Sequence, residues 1–438
     1  MYNRKPFTPN ITVVDSLMGT GKSTWLIKYL NDEYADITTR SPGNPPKKFI
    51  VIVHSLDEVD RFTEACPTLG FKNPEPIYGR KLYGLQSLTD DGENIVTTHS
   101  LFKSMTPEVI ESFHSYGYTL MIDEVLSSVE IFSNLSPKDR EMLFTGGYVS
   151  ADEDTGRLRW NNDDHGDYPL TGRFNDIRKL CEIGSVVLFR DTTLLWEFPS
   201  EFLQAFHDIY VFTYLFEGSP MAAYLKSQGF TYTAKSVNES MDGLIDICEV
   251  DESAVKARLR ELITIYEGPM NEIGRKPRRG NEKPLSASWY KRAAKDGTDK
   301  LKQLKSSTEN FFKKISATPA SDNMWTVYKA SAKTLKGARY ARQWTPLNLK
   351  ATNDLVDKKA AAYLCNLHLH TSIRNYFISR NISVSDDLFA LSEMVQWIWR
   401  SQIRRGDPIT LYVPSSRMRE LLRNWLNSSN ILELSQAA

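Results

Sequence analysis

The chain has 438 residues, with 54 Lys+Arg against 54 Asp+Glu, 41% hydrophobic and 25% charged positions. That length suits two domains with large cores, and zero net charge excludes a chain drawn as a whole to nucleic acid or to a membrane surface. Four scattered cysteines (Cys66, Cys181, Cys248, Cys365) form no metal-ligand spacing and predict reduced thiols, no apolar run reaches membrane-spanning length, and "MYNRKPFTPN" is not a secretory signal, so a cytoplasmic protein is expected.

Residues 11–125 alternate short apolar runs with helical spacing. "ITVV" predicts a strand, and a helix follows from about Ser23 to Tyr34. "KFIVIVHS", "NIVTTHS" and "YTLMIDEV" predict further strands, separated by helices over "LDEVDRFTEAC" and "PEVIESFHSYG". Continuous apolar strands alternating with helices argue a parallel α/β sheet. Residues 146–168 break that rhythm and predict a hairpin turning near Asp154-Thr155-Gly156. "HDIYVFTYLF" (208–217) reads as the first strand of a second α/β unit, which sets domains at 1–205 and 206–438. Residues 268–314 are rich in Lys and Arg, with Trp289 and Tyr290 among them, and predict a basic insertion in the second domain. "DDLFALSEMVQWIWRSQIRRG" predicts one long amphipathic helix.

Chemistry concentrates in two stretches. "DSLMGTGKST" (15–24) follows a strand and opens a helix, the setting that a phosphate-binding loop requires. Its tail Gly19-Thr20-Gly21-Lys22-Ser23-Thr24 is intact, with Ser16 at the place of the first glycine. Backbone N–H groups would cradle phosphates, Lys22 would reach the β- and γ-phosphates, and the Ser23 hydroxyl would hold Mg²⁺. Asp123 and Glu124 close the strand "YTLMIDEV". Asp123 would hold the same Mg²⁺, and Glu124 would act on the attacking water as general base.

With both motifs in hand, the chain resembles superfamily 2 helicases, the DEAD/DEAH-like group, and helicase-like proteins of bacteriophages. "DSLMGTGKST" and "IDEV" look like motifs I and II. "VIVHS" (51–55) and "VTTHSLF" (96–102) are placed like strand-end motifs that touch the nucleic-acid backbone, which offers His54, Ser55 and Thr98 as contacts. "QWIWRSQIRRG" is similar to motif VI, with Gln396, Arg400 and Arg404 expected on one helix face. It departs from the pattern in the arginine spacing and in Trp399 at the usual glycine, so either Arg404 or Arg405 is the second arginine. Trp397 and Trp399 are expected in the core or between domains. "LNLKATNDL" (347–355) falls where motif V belongs, and Asp191-Thr192-Thr193 where motif III belongs.

The resemblance implies two RecA-like parallel-sheet P-loop domains closing on ATP·Mg²⁺, with Glu124, Arg400 and Arg404 catalytic and Gln396 on the nucleotide. It implies a DNA helicase or translocase of phage replication or recombination, acting on DNA rather than RNA and alongside replication proteins. Within the basic segment, Lys291 and Arg292 offer phosphate contacts and Trp289 a stacking surface. The alternative is a nucleic-acid-binding ATPase, an origin-binding or loading module that does not unwind processively.

Overall fold

The computed structural model of the chain describes residues 5–39, 47–161, 174–238, 240, 242–297, 299–348 and 354–437. Aliphatic and β-branched runs form β1 (Asn10–Asp15), β2 (Lys48–Val53), β3 (Ile95–Thr98) and β4 (Tyr118–Asp123). Five short strands follow: β5 (Val129–Ile131), β6 (Val149–Ala151), β7 (Leu158–Trp160), β8 (Val186–Phe189) and β9 (Thr193–Glu197). β10 (Asp208–Thr213), β11 (Tyr232–Val237) and β12 (Leu244–Asp246) then return to the first sheet, whose order is β12-β11-β1-β10-β4-β2-β3. Only β12 runs antiparallel to its neighbour there. The strand expected to open the second unit is therefore a central strand of the first, bonded to β1 on one side and β4 on the other. The first sheet extends to Asp246, past the expected boundary at 205/206.

The interruption before β10 is larger than one hairpin. β5, β9 and β8 form an antiparallel sheet, and β6 pairs with β7 as expected. Asp152 caps their turn, accepting the Thr155 backbone N–H at 3.0 Å; the rest of the expected hairpin, 162–168, lies outside the described residues. Asp191-Thr192-Thr193 forms the β8–β9 turn, where Arg140 donates to the carbonyl oxygens of Asp191 and Thr192. It is therefore not the strand-end motif expected there. The strand that does lie between β1 and β4 is β10.

β13 (Ile263–Ile265), β14 (Asn323–Thr326), β15 (Ala360–Tyr363) and β16 (Ile409–Tyr412) form a second, wholly parallel sheet in the order β13-β16-β15-β14. The helices Ser253–Leu262, Asp386–Ile398 and Ser416–Asn427 share one core with it. The helices Ala287–Lys295 and Lys300–Asn310 belong to another, with strand residues Trp325, Ala360, Ala362 and Tyr412. The basic segment is thus a structural layer of this unit and not an addition to it. Its apolar face buries Trp289, Tyr290, Leu304, Phe311 and Phe312 and leaves its lysines in water, as expected of an amphipathic helix.

The two units share apolar residues. Leu17, Tyr214 and Leu215 of the first pack into the second core. The helix Thr371–Ile378, which follows β15, inserts Ile373, Tyr376 and Phe377 into the first. There the Tyr376 hydroxyl donates to the buried Glu197 carboxylate. Among the described residues no helix is long and apolar enough to cross a membrane.

Candidate active site

Sheet order fixes where a site can form. The helix after β1 (Lys22–Thr39) leads toward β2, and the helix after β10 (Pro220–Ser227) leads to β11 on the other side of β1. The chain thus departs in opposite directions from two adjacent parallel strands, and such a switch leaves a crevice at their carboxyl ends. A pocket opens there, lined by Gly19, Lys22, Ser23, Asp123 and Glu124, and across from them by Gln396, Trp399, Arg400 and Arg404.

The loop after β1 is held from below. Asp15 accepts the backbone N–H groups of Leu215 and Phe216, both at 2.8 Å. Ser16, at the place of the missing glycine, is buried; its Oγ accepts the Val237 N–H at 2.9 Å and lies 2.8 Å from Ser236 Oγ. A glycine would forfeit that tie to β11. Gly19 and Gly21 have φ of +83° and +87°, a backbone region that disfavours any side chain. Thr20 Oγ1 donates to the Leu17 carbonyl at 2.8 Å, so its hydroxyl serves the loop itself. Lys22 Nζ donates to the carbonyl oxygens of Ser16 at 2.5 Å and Leu17 at 3.1 Å. Ser23 and Thr24 begin the helix behind it, and of the two only Ser23 lines the pocket.

Burial disfavours charge throughout this floor. It lowers the Lys22 ammonium to about 8 against the opposing pull of Asp15, Asp123 and Glu124. It raises Asp15 to about 6, opposed by the Phe216 and Leu215 N–H groups and by Lys22. Burial and the neighbouring Glu124 and Glu58 raise Asp123 to about 7, opposed by Lys22 and Arg61. A cation beside Asp123 would offset that cost. The Ser23 hydroxyl and one carboxylate suit Mg²⁺, which takes few protein oxygens and completes its shell with phosphate and water. No cluster of three or more His, Cys, Asp or Glu that could hold a metal unaided occurs among the described residues.

Glu124 stands at φ +67° just past β4, and its N–H donates to the Phe212 carbonyl at 2.9 Å. Arg400 Nη2 reaches its Oε1 at 3.0 Å from the second unit, and His54 Nε2 lies 3.3 Å from its Oε2. His54 stacks on His99 with ring centres 3.8 Å apart, and His99 Nε2 lies 3.0 Å from the Asp123 carbonyl oxygen. His54 is thus tied to a carboxylate that lines the pocket. Ser55 caps the next helix, accepting the Glu58 N–H at 3.3 Å, and Thr98 ends β3 before a short helical turn.

The second unit's side is built differently from expectation. The helix carrying Gln396 stops at Ile398, and Arg404 lies on a separate 3₁₀ turn, Gln402–Arg405. The Gln402 N–H bonds the Lys358 carbonyl at 3.2 Å, which turns the chain toward β16. Gln396, Arg400 and Arg404 are thus not on one helix face, yet all three line the pocket. Arg405 pairs instead with Asp357, which leaves Arg404 as the second arginine of the site. Gln396 Nε2 donates to Ser392 Oγ at 2.9 Å, and Ser392 Oγ to the Tyr214 carbonyl at 3.0 Å. Trp397 is core, as expected, with its Nε1 donating to Thr345 Oγ1 at 2.9 Å. Trp399 faces the pocket.

Of the remaining expected contacts, Lys291 and Arg292 are exposed, and Arg292 lies 3.6 Å from Glu282. Trp289 is 2% exposed and packs edge-on to Tyr290, so it cannot stack on a base. Residues 349–353 of the expected motif V lie outside the described residues. Sequence reasoning missed Thr213 and Tyr214 at the end of β10, and the Glu58–Arg61 pair at 2.8 Å. The signal for Glu58 and Arg61 was their spacing of three in a helix that starts at a pocket strand. Tyr214 carries the pocket wall into the second unit. Its hydroxyl donates to Glu252 Oε2 at 3.1 Å and accepts Trp425 Nε1 at 2.7 Å, and Glu252 pairs with the buried Lys256 at 2.8 Å.

Comparison with known proteins places the chain among phage-related sequences. Residues 257–426 match the YonV C-terminal Rossmann-like domain, and residues 129–196 match the YonV middle domain. The latter span is the stretch from β5 to β9 that interrupts the first sheet. Over 427 residues the chain is 34% identical to the SPbeta prophage-derived uncharacterized protein YonV of Bacillus subtilis (strain 168), covering 95% of this chain and 99% of that one. The chain belongs to the YonV family.

Proposed function

We propose that the chain is a P-loop nucleoside triphosphatase of the superfamily 2 type, with ATP·Mg²⁺ bound between two RecA-like units and hydrolysis coupled to nucleic acid, DNA before RNA. The observation that carries this reading is one pocket lined from both units: Lys22, Ser23, Asp123 and Glu124 on one wall, Arg400 and Arg404 on the other. On this reading Lys22 and the loop N–H groups hold the phosphates, Ser23 and Asp123 hold the metal, and Glu124 takes the proton of the attacking water. Arg400 and Arg404 offset negative charge as it spreads over the transferred phosphoryl group. Glu124 must first exchange its pairing with Arg400 for the water, so an arriving phosphate that competes for Arg400 frees the base.

A second reading has its own support. The helix Thr371–Ile378 of the second unit is buried in the core of the first, which restrains large separation of the two. This favours an ATP-dependent binding or loading module of phage replication over a processive helicase. Steady-state ATPase with and without single-stranded DNA, single-stranded RNA and duplex, with Lys22→Ala as control, tests the shared premise. Hydrolysis stimulated by one polymer and lost in Lys22→Ala is expected; no hydrolysis under any condition would overturn it. Strand separation on a tailed duplex then decides between the two readings.

A further inference from the structure

Trp399 and Arg400 are adjacent in sequence, and both line the pocket from the second unit. Trp399 Nε1 and Arg400 Nε are buried, and neither has a hydrogen-bond partner among the described residues. Two residues earlier, the indole of Trp397 is fully satisfied by Thr345. A buried N–H without an acceptor is rare and costly in a folded chain, and two of them on adjacent residues that line one pocket point to an acceptor that a ligand of the pocket supplies. The indole is placed by contact with the phosphate loop itself. A Cβ on Gly19 would lie 2.8 Å from Trp399 Cζ2, 3.5 Å from Cε2 and 3.6 Å from Nε1. The nitrogen-bearing edge of the ring therefore sits on Gly19, and Nη2 of the next residue, Arg400, holds the Glu124 carboxylate.

We propose that Trp399 is a specificity-determining residue. Its indole N–H, together with Arg400 Nε, donates to the terminal phosphate of a bound nucleoside triphosphate, so that the second unit distinguishes triphosphate from diphosphate. This rests on the nucleoside triphosphatase reading of the same pocket. Phenylalanine at 399 would keep a ring over Gly19 and lack the donor.

The test is equilibrium binding of a non-hydrolysable ATP analogue and of ADP, each with Mg²⁺, to the full chain by titration calorimetry. Wild type is expected to prefer the triphosphate. Trp399→Phe should lose about tenfold in triphosphate affinity with ADP affinity unchanged. Triphosphate should alter the wild-type tryptophan emission more than that of Trp399→Phe. A Trp399→Phe protein that keeps the wild-type preference overturns the inference, as does one that loses both nucleotides equally, since the ring would then be only a wall. A wild type that binds neither nucleotide overturns this inference and the triphosphatase reading together. Binding lost in Lys22→Ala and unchanged in Trp399→Phe overturns this inference alone.

Discussion

The two walls of the pocket are made by different means. The first unit's wall is a run of strand ends in one parallel sheet, each tied to its neighbours by backbone and short side-chain bonds: Asp15 to Leu215 and Phe216, Ser16 to Val237, Glu124 to Phe212. The second unit's wall is a helix end and a turn, where Arg400 is held mainly through Glu124 and two donors lack acceptors among the described residues. The first wall is preorganised and the second is completed by what it meets. Diphosphate binding should therefore depend on the first, and triphosphate binding and turnover on both. Arg400→Ala is expected to lower kcat by about 10³-fold with ADP affinity kept within a few-fold. Lys22→Ala should lose affinity and turnover together. Steady-state kinetics beside equilibrium titration checks this, and equal affinity losses in both variants would break the distinction.

The basic helix sharpens the comparison from the other direction. Trp289 and Lys291 are two residues apart, one buried against Tyr290 and the other exposed. Trp289→Ala is expected to destabilise the chain by about 3–5 kcal/mol through the cavity it leaves. Lys291→Ala should shift stability by less than about 0.5 kcal/mol. Denaturant unfolding measures both. If Trp289→Ala unfolds like wild type and instead loses affinity for single-stranded DNA, the helix is a nucleic-acid surface after all.

These cases show what was legible in the sequence. β1 to β4 and the loop from Ser16 to Ser23 were readable because backbone geometry dictates them locally: β-branched runs for buried parallel strands, glycines where φ is positive. Asp123 and Glu124 were readable because they end such a run. The position of β10 was not, because a strand after a long interruption can join either sheet, and its own residues do not say which. The approach of Trp399 to the phosphate loop was hidden for a related reason, since its neighbour Gly19 lies far away in sequence. The basic segment misled because charge density is visible in composition, whereas the apolar face beneath it is visible only as helical spacing.

A pH experiment separates the floor of the pocket from the rest of the core. An aspartate ordinarily titrates near 3.8, and in the fold Asp123 is raised to about 7 by burial and by Glu124. The folded state thus holds the proton more tightly than the unfolded state, so ionised Asp123 costs stability. That cost is absent below about pH 4, grows as pH rises, and is complete above about pH 7. Asp123→Asn removes it. The variant should melt above wild type at pH 8, by an amount on the order of a few kcal/mol, and the difference should vanish toward pH 4. Thermal melts across that range test the sign. A gap that widens toward acid would mean that Asp123 is stabilised as a carboxylate, and Mg²⁺ should narrow the gap at pH 8 by stabilising wild type only.

A smaller effect than that of Asp123 bears on the least regular feature of the first wall. Ser16 departs from the glycine of the usual phosphate loop, and its hydroxyl accepts the Val237 N–H while facing Ser236. Restoring the ordinary residue by Ser16→Gly removes that acceptor inside the core and adds backbone freedom to the unfolded chain. Both act against folding, the first by about 1–3 kcal/mol and the second by a fraction of that. Ser16→Ala loses only the first, so it should fall between wild type and Ser16→Gly in denaturant unfolding. Neither change touches a group that lines the pocket, so nucleotide affinity per folded molecule should stay within a few-fold of wild type. If Ser16→Gly instead proved as stable as wild type, the tie to β11 would be incidental, and the loop would owe its shape to Gly19, Gly21 and Asp15 alone.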